Sequence, residues 1–121
     1  MTPPTLLVVD DEARILSVLQ RALRREGWRI LTAGNATDAL RILEAEPVDA
    51  VLTDHKMPRM SGLDLLEAAA GRRPAAARFL ISGWPDEVPA ERLNALGIRA
   101  LIPKPWDDAE LRRVLRDSLA R

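Results

Sequence analysis

The sequence contains no cysteine, a single histidine and a single phenylalanine, and it has no long apolar run. Without cysteine there is no disulfide framework and no thiolate metal site. Without a long apolar run, no membrane span is expected. The opening Met1-Thr2-Pro3-Pro4 lacks the basic-then-apolar order of an export signal, and residues 1–4 read as a disordered tail. A soluble, cytoplasmic protein is therefore expected. Neither sign of charge is in excess, since 18 Lys and Arg face 18 Asp and Glu. That balance gives no general pull toward nucleic acid or an anionic membrane. Lysine is itself scarce: Lys56 and Lys104 stand among 16 arginines.

What is present suits one domain over residues 1–121, with 47% hydrophobic residues and enough length to bury a core. Leu6 to Val9, Ala50 to Thr53 and Arg78 to Ile81 are short apolar runs of the kind buried on both faces of a sheet. Trp28 to Ala33 and Ala100 to Ile102 read as further strands. Residues 12–26 carry Ile15, Leu19, Ala22 and Leu23 at helical spacing, closed by Gly27. Asn35 opens a second helix that Pro47 ends, and Leu63 to Ala70 forms a third. A weaker helix over Asp86 to Leu96 contains Pro89. The last helix has Asp107 as N-cap with Glu110 three residues on. Strands that alternate with amphipathic helices predict an α/β fold, a doubly wound, mostly parallel five-stranded sheet with helices on both faces. No linker, repeat or DNA-binding segment interrupts the pattern.

The polar residues that end the strands carry the chemistry. The first run ends in Asp10 and Asp11, the third strand in Asp54, the fourth in Ser82 and the fifth in Lys104. Ligands of open α/β sheets bind beyond the carboxyl ends of the strands. Each such residue alone is ordinary turn or capping chemistry; the information is in their joint position. Two like charges about 4 Å apart cost ~4 kcal/mol at an effective dielectric near 20. Three carboxylates in one crevice must therefore protonate or share a cation. All-oxygen ligands favour a hard ion, and a shallow site that keeps waters favours Mg²⁺. A metal, a lysine and a hydroxyl around one space suit a phosphoryl group, and a carboxylate can act as its nucleophile.

Taken together, "VVDDE", "TDHKMPRMSGLDLL", "ISG" and "KPW" resemble the signature of response-regulator receiver domains of two-component signalling, from Leu6 to the last helix. The resemblance implies a flavodoxin-like (βα)5 fold with strand order 2-1-3-4-5. It implies Asp54 as phosphoacceptor, and Asp11, Asp54 and the backbone carbonyl of Lys56 as Mg²⁺ ligands, with Asp10 holding the metal through water. It implies Ser82 and Lys104 as the groups that bind the phosphoryl group, and a cis bond between Lys104 and Pro105. The implied donor is a phosphohistidine on a sensor histidine kinase or phosphotransfer protein. The implied output is a changed surface on helix four, strand five and helix five, read by a downstream protein or a covalently attached output domain. Such a domain is no turnover enzyme; it catalyses only its own phosphotransfer and autodephosphorylation.

One departure is Leu101, where the family usually carries Tyr or Phe. Trp84 or Trp106 then takes on part of the switching, and Pro89 suggests a short fourth helix. His55 is expected to face away from the site, because neighbouring side chains on a strand point oppositely. Lys56 flanks the site, Trp84 and Trp106 suggest a partner surface, and the arginine pairs read as solvated helix faces. Two other functions fit the residues less well. A phosphate-independent interaction module with the same fold has only Leu101 and the odd fourth helix in its favour. A metal phosphohydrolase lacks a DxD arrangement and specificity loops. Homodimerisation through helices four and five, and whether the chain stands alone or is part of a longer protein, stay open.

Overall fold

Leu6, Leu7, Val8 and Val9 are all buried, and four consecutive apolar residues can be buried only if the strand has cover on both faces. The computed structural model, which describes residues 2–119, provides that cover. Five strands, β1 (Thr5–Val9), β2 (Arg29–Ala33), β3 (Ala50–Asp54), β4 (Ala77–Ser82) and β5 (Ile98–Pro103), alternate with five helices, α1 (Ala13–Leu23), α2 (Ala36–Ala45), α3 (Gly62–Arg72), α4 (Ala90–Ala95) and α5 (Asp108–Leu119). The strands form one parallel sheet in the order β2-β1-β3-β4-β5. This is the expected order. Met1 of the expected tail lies outside the described residues, and the Pro4 carbonyl accepts a hydrogen bond of 2.9 Å from Arg29 N.

The two-residue period of a strand divides the core in two. Leu6, Val8, Leu52, Phe79 and Ile81 pack toward Leu19 and Leu23 of α1 and Leu111 and Leu115 of α5. Leu7, Val9, Val51 and Leu80 pack toward α2 and α3 through Leu43, Leu63 and Leu66. Each such leucine stabilises the fold by roughly 1.5–3 kcal/mol. Among the described residues no helix is long and apolar enough to cross a membrane.

The helix ends follow local chemistry. Asn35 Oδ1 accepts from Asp38 N at 2.8 Å, Ser61 Oγ from Asp64 N at 3.2 Å and Asp107 Oδ1 from Glu110 N at 3.1 Å, each cap contributing about 1 kcal/mol. α1 tightens into a 3-10 turn over Arg24–Glu26 and stops at Gly27, whose φ of 81° is left-handed.

The fourth helix departs from expectation. It does not run from Asp86 to Leu96. Pro85–Glu87 forms a 3-10 turn, Val88 is extended at φ −84° and ψ 122°, and α4 begins only after Pro89. The cause is Pro89, which disfavours helical angles in the residue before it and supplies no N–H. α4 has no fully buried residue of its own. Its carboxyl end is fastened instead: Arg78 Nε donates to the Leu96 carbonyl at 2.7 Å.

Gly62, at the start of α3, lies against the end of β3. Its N–H donates to the His55 carbonyl at 2.7 Å. A β-carbon there would stand 2.3 Å from the Asp54 carbonyl oxygen and 2.8 Å from His55 Cα. Only the absence of a side chain lets α3 approach the strand that carries Asp54. Gly62→Ala is accordingly expected to lower stability by about 2 kcal/mol, read as a lower urea midpoint. Gly71→Ala, in the same helix with nothing within 4 Å of the added carbon, should instead raise it by roughly 0.5–1 kcal/mol.

Candidate functional site

Parallel strands end on one edge of the sheet, so the residues that follow them meet. Val9 lies opposite Thr53, Asp54 opposite Ile81 and Ser82 opposite Pro103. Backbone hydrogen bonds of 2.9 Å from His55 N to the Ile81 carbonyl, and from Lys104 N to the Ser82 carbonyl, extend the ladder to the site itself. Asp10, Asp11, Asp54, Ser82 and Lys104 are thereby brought together. The Lys104–Pro105 bond is cis, as the resemblance implied.

Asp10, Asp11 and Asp54 each present a carboxylate oxygen within 4.8 Å of the other two. Asp10 is 1% exposed. Its Oδ1 accepts from Glu12 N at 2.8 Å, while Oδ2 is buried with no hydrogen-bond partner. Burial, with the charges of Asp54 and Asp11, outweighs that hydrogen bond and the charge of Lys104 and pushes the Asp10 pKa up to about 6. Lys104 Nζ reaches Asp54 Oδ1 at 2.7 Å. Burial is the largest single influence on Lys104 and disfavours its charge. The hydrogen bond and charge of Asp54, helped by Asp10 and Glu12, prevail and hold its pKa above the usual lysine value. The Ser82 hydroxyl accepts from Trp84 N at 3.0 Å, which leaves its own hydrogen free to donate.

These groups open on a cavity of about 200 Å³ lined by Asp11, Asp54, Lys56, Ser82, Trp84 and Lys104, among others. The Lys56 ammonium lies 4.1 Å from the Trp84 ring centroid and 3.5 Å from the Glu87 carboxylate. Glu87 escaped sequence reasoning; it stands far along the chain from Lys56 and no local pattern marks it. His55 does not line the cavity, in keeping with the expectation that it faces away. Burial pushes its pKa down, and its Nδ1 has no partner. Trp28 packs at the edge of the core with α1 and α5. Trp106 donates its Nε1–H to Asp108 Oδ1 at 2.9 Å. A wider groove of about 610 Å³ between α1 and α5, with Arg21, Arg24, Arg25 and Arg112 in its walls, contains none of the expected site residues.

The donor set fits a hard divalent cation. It consists of oxygens alone, it gathers three carboxylates, and it contains one buried carboxylate oxygen with nothing to bond.

Known proteins place the chain in a family. Residues 6–116 match the response regulator receiver domain model. The hydrogenase transcriptional regulatory protein HoxA of Bradyrhizobium diazoefficiens is 40% identical over 95% of this chain and 24% of its own length. The DNA-binding transcriptional regulator NtrC of Rhizobium meliloti is 34% identical over 99% of this chain and 25% of its own. The signal receiver domain of an HD domain-containing protein from Pseudomonas fluorescens superposes with a TM-score of 0.87 at 32% identity, covering 97% of this chain and 94% of that one. The chain belongs to the response-regulator receiver domain family. It is a module of phosphorylation-based two-component signalling, from a family that binds Mg²⁺ at an acidic pocket of this kind. It spans about a quarter of the length of these two regulators.

The raised pKa of Asp10 carries a stability prediction. The unfolded carboxyl ionises near 3.8 and the folded one at about 6, so ionisation favours the unfolded chain. The penalty is absent below about pH 4 and complete above about pH 6. At pH 7, in buffer with a chelator, Asp10→Asn is expected to raise the unfolding free energy by about 1–3 kcal/mol. At about pH 3.5 the same comparison in urea should show no gain.

Proposed function

We propose that this domain is a Mg²⁺-dependent switch that accepts a phosphoryl group on Asp54 from the phosphohistidine of a sensor histidine kinase or a phosphotransfer protein. The observation that carries this reading is the convergence on Asp54: two further carboxylates within 4.8 Å of it and Lys104 Nζ at 2.7 Å. In the transfer, an Asp54 carboxylate oxygen forms a bond to phosphorus as the phosphorus–nitrogen bond breaks. The electron pair of that bond returns to the imidazole. Asp10, Asp11, Asp54 and the Lys56 carbonyl would hold the metal. Bound there, Mg²⁺ would neutralise charge on the phosphoryl oxygens. Lys104 moves from the carboxylate to the phosphoryl oxygens, and the free hydrogen of Ser82 donates to another. The chain thus performs its own phosphorylation; in its dephosphorylation a water oxygen bonds to phosphorus as the phosphorus–oxygen bond to Asp54 breaks and the carboxylate is regenerated.

The output surface in this reading is α4, β5 and α5, and its reader is a downstream protein or an attached output domain. Both HoxA and NtrC are named as transcriptional regulators, and this chain matches about a quarter of each. That supports an output domain which, rather than this chain, meets nucleic acid. Leu101, on β5, is half-buried against the core, and this aliphatic residue stands where the wider family usually carries Tyr or Phe. The domain works in the cytoplasm, where such kinases present their phosphohistidine.

With acetyl phosphate and MgCl₂, the intact mass is expected to rise by one phosphoryl group. Asp54→Asn or excess chelator should abolish the gain, and Lys104→Ala should slow it about a hundredfold. An unmodified wild-type protein under these conditions overturns the reading.

A further inference from the structure

Lys56 ties the end of β3 to the segment that follows β4. Its ammonium stands over the Trp84 ring at 4.1 Å and faces the Glu87 carboxylate at 3.5 Å, both within attractive range. Trp84 is 58% exposed, so little apolar packing holds it. Glu87 closes the 3-10 turn over Pro85–Glu87 that leads to α4. The lysine is therefore a tether at the amino-terminal side of the 84–96 segment, whose other end is held by the bond from Arg78 to the Leu96 carbonyl.

The tether is poised to be exchanged. Lys56 lines the same cavity of about 200 Å³ as Asp54. Lys104 is already engaged with Asp54, which leaves Lys56 as the second ammonium on that lining. Phosphorylation takes the charge at Asp54 from about −1 toward −2 and adds acceptor oxygens. The present partner, Glu87, offers a single charge in a pair exposed to solvent on both sides, with side chains 58% and 63% exposed. Such a pair is screened by water, whereas the cavity is more enclosed.

We propose that Lys56 is a relay: its ammonium leaves Glu87 for the phosphoryl group on Asp54, and the 84–96 segment loses its tie to the end of β3. This rests on Asp54 being the phosphoacceptor. The relay gives this chain a route from site to α4 that needs no aromatic residue on β5. Lys56 acts here as a positioning residue: in turning to the phosphoryl group its ammonium gives up both the Trp84 ring and the Glu87 carboxylate.

Hydrogen exchange followed by mass spectrometry, on the domain loaded with acetyl phosphate and MgCl₂, tests the relay. Peptides covering 84–96 should exchange about two- to fivefold faster once the intact mass shows the adduct, the size of change an exposed ion pair can contribute. Glu87→Gln should exchange at that faster rate without any phosphate donor, and phosphorylation should add nothing further. Lys56→Arg, which keeps a cation between ring and carboxylate, should keep the slower, unphosphorylated wild-type exchange over 84–96 in the absence of a phosphate donor. Complete phosphorylation with unchanged exchange over 84–96 overturns the relay alone. Glu87→Gln exchanging at the unphosphorylated wild-type rate does so too. A wild-type chain that takes up no phosphate overturns both the function and the relay.

Discussion

The 2.7 Å contact between the Lys104 ammonium and the Asp54 carboxylate holds together a group of acids that would otherwise drive the sheet edge apart. Asp10, Asp11 and Asp54 crowd within 4.8 Å of one another, and one positive charge cannot offset three negative ones. Asp10 shows the cost: burial first, and then the charges of Asp54 and Asp11, raise its pKa to about 6. A divalent cation would offset both. Every element nearby serves the same arrangement. The parallel ladder brings β1 and β3 side by side, β5 delivers Lys104 from the far side of β4, and a glycine lets α3 close against the strand end without displacing Asp54.

Much of this was legible before any coordinates. β1, β3 and β4 could be read because continuous burial leaves continuous apolar runs, as in Leu6 to Val9. The caps at Asn35 and Asp107 could be read because their hydrogen bonds close over three residues. β5 was harder: an edge strand is buried on one part of its length only, and its observed span, Ile98–Pro103, exceeds the expected Ala100 to Ile102. The site residues were visible through their shared position after strands, but which strand neighbours which came from family resemblance rather than from periodicity. For the fourth helix, apolar spacing through Pro89 suggests the span Asp86 to Leu96, but backbone sterics outrank spacing and leave the short helix that the proline itself points to. The pairing of Lys56 with Trp84 and Glu87 had no sequence signal, since contacts across connections depend on loop geometry.

The sheet also separates two packing layers that share no helix. α1 and α5 rest on Leu6, Val8 and Phe79, while α2 and α3 rest on Leu7, Val9 and Val51. Substitutions in one layer should therefore add to those in the other with little coupling. The site lies at the carboxyl end of the sheet, where both layers end.

The bond from Arg78 to the Leu96 carbonyl has a mechanical meaning. It is one of several pins: Val88 is buried just ahead of α4, and Arg92 in its middle meets Asp64 and Glu67 of α3. A helix seated by separate pins rather than by a packed face of its own can be reseated when one pin is withdrawn, without any rearrangement of the core beneath it.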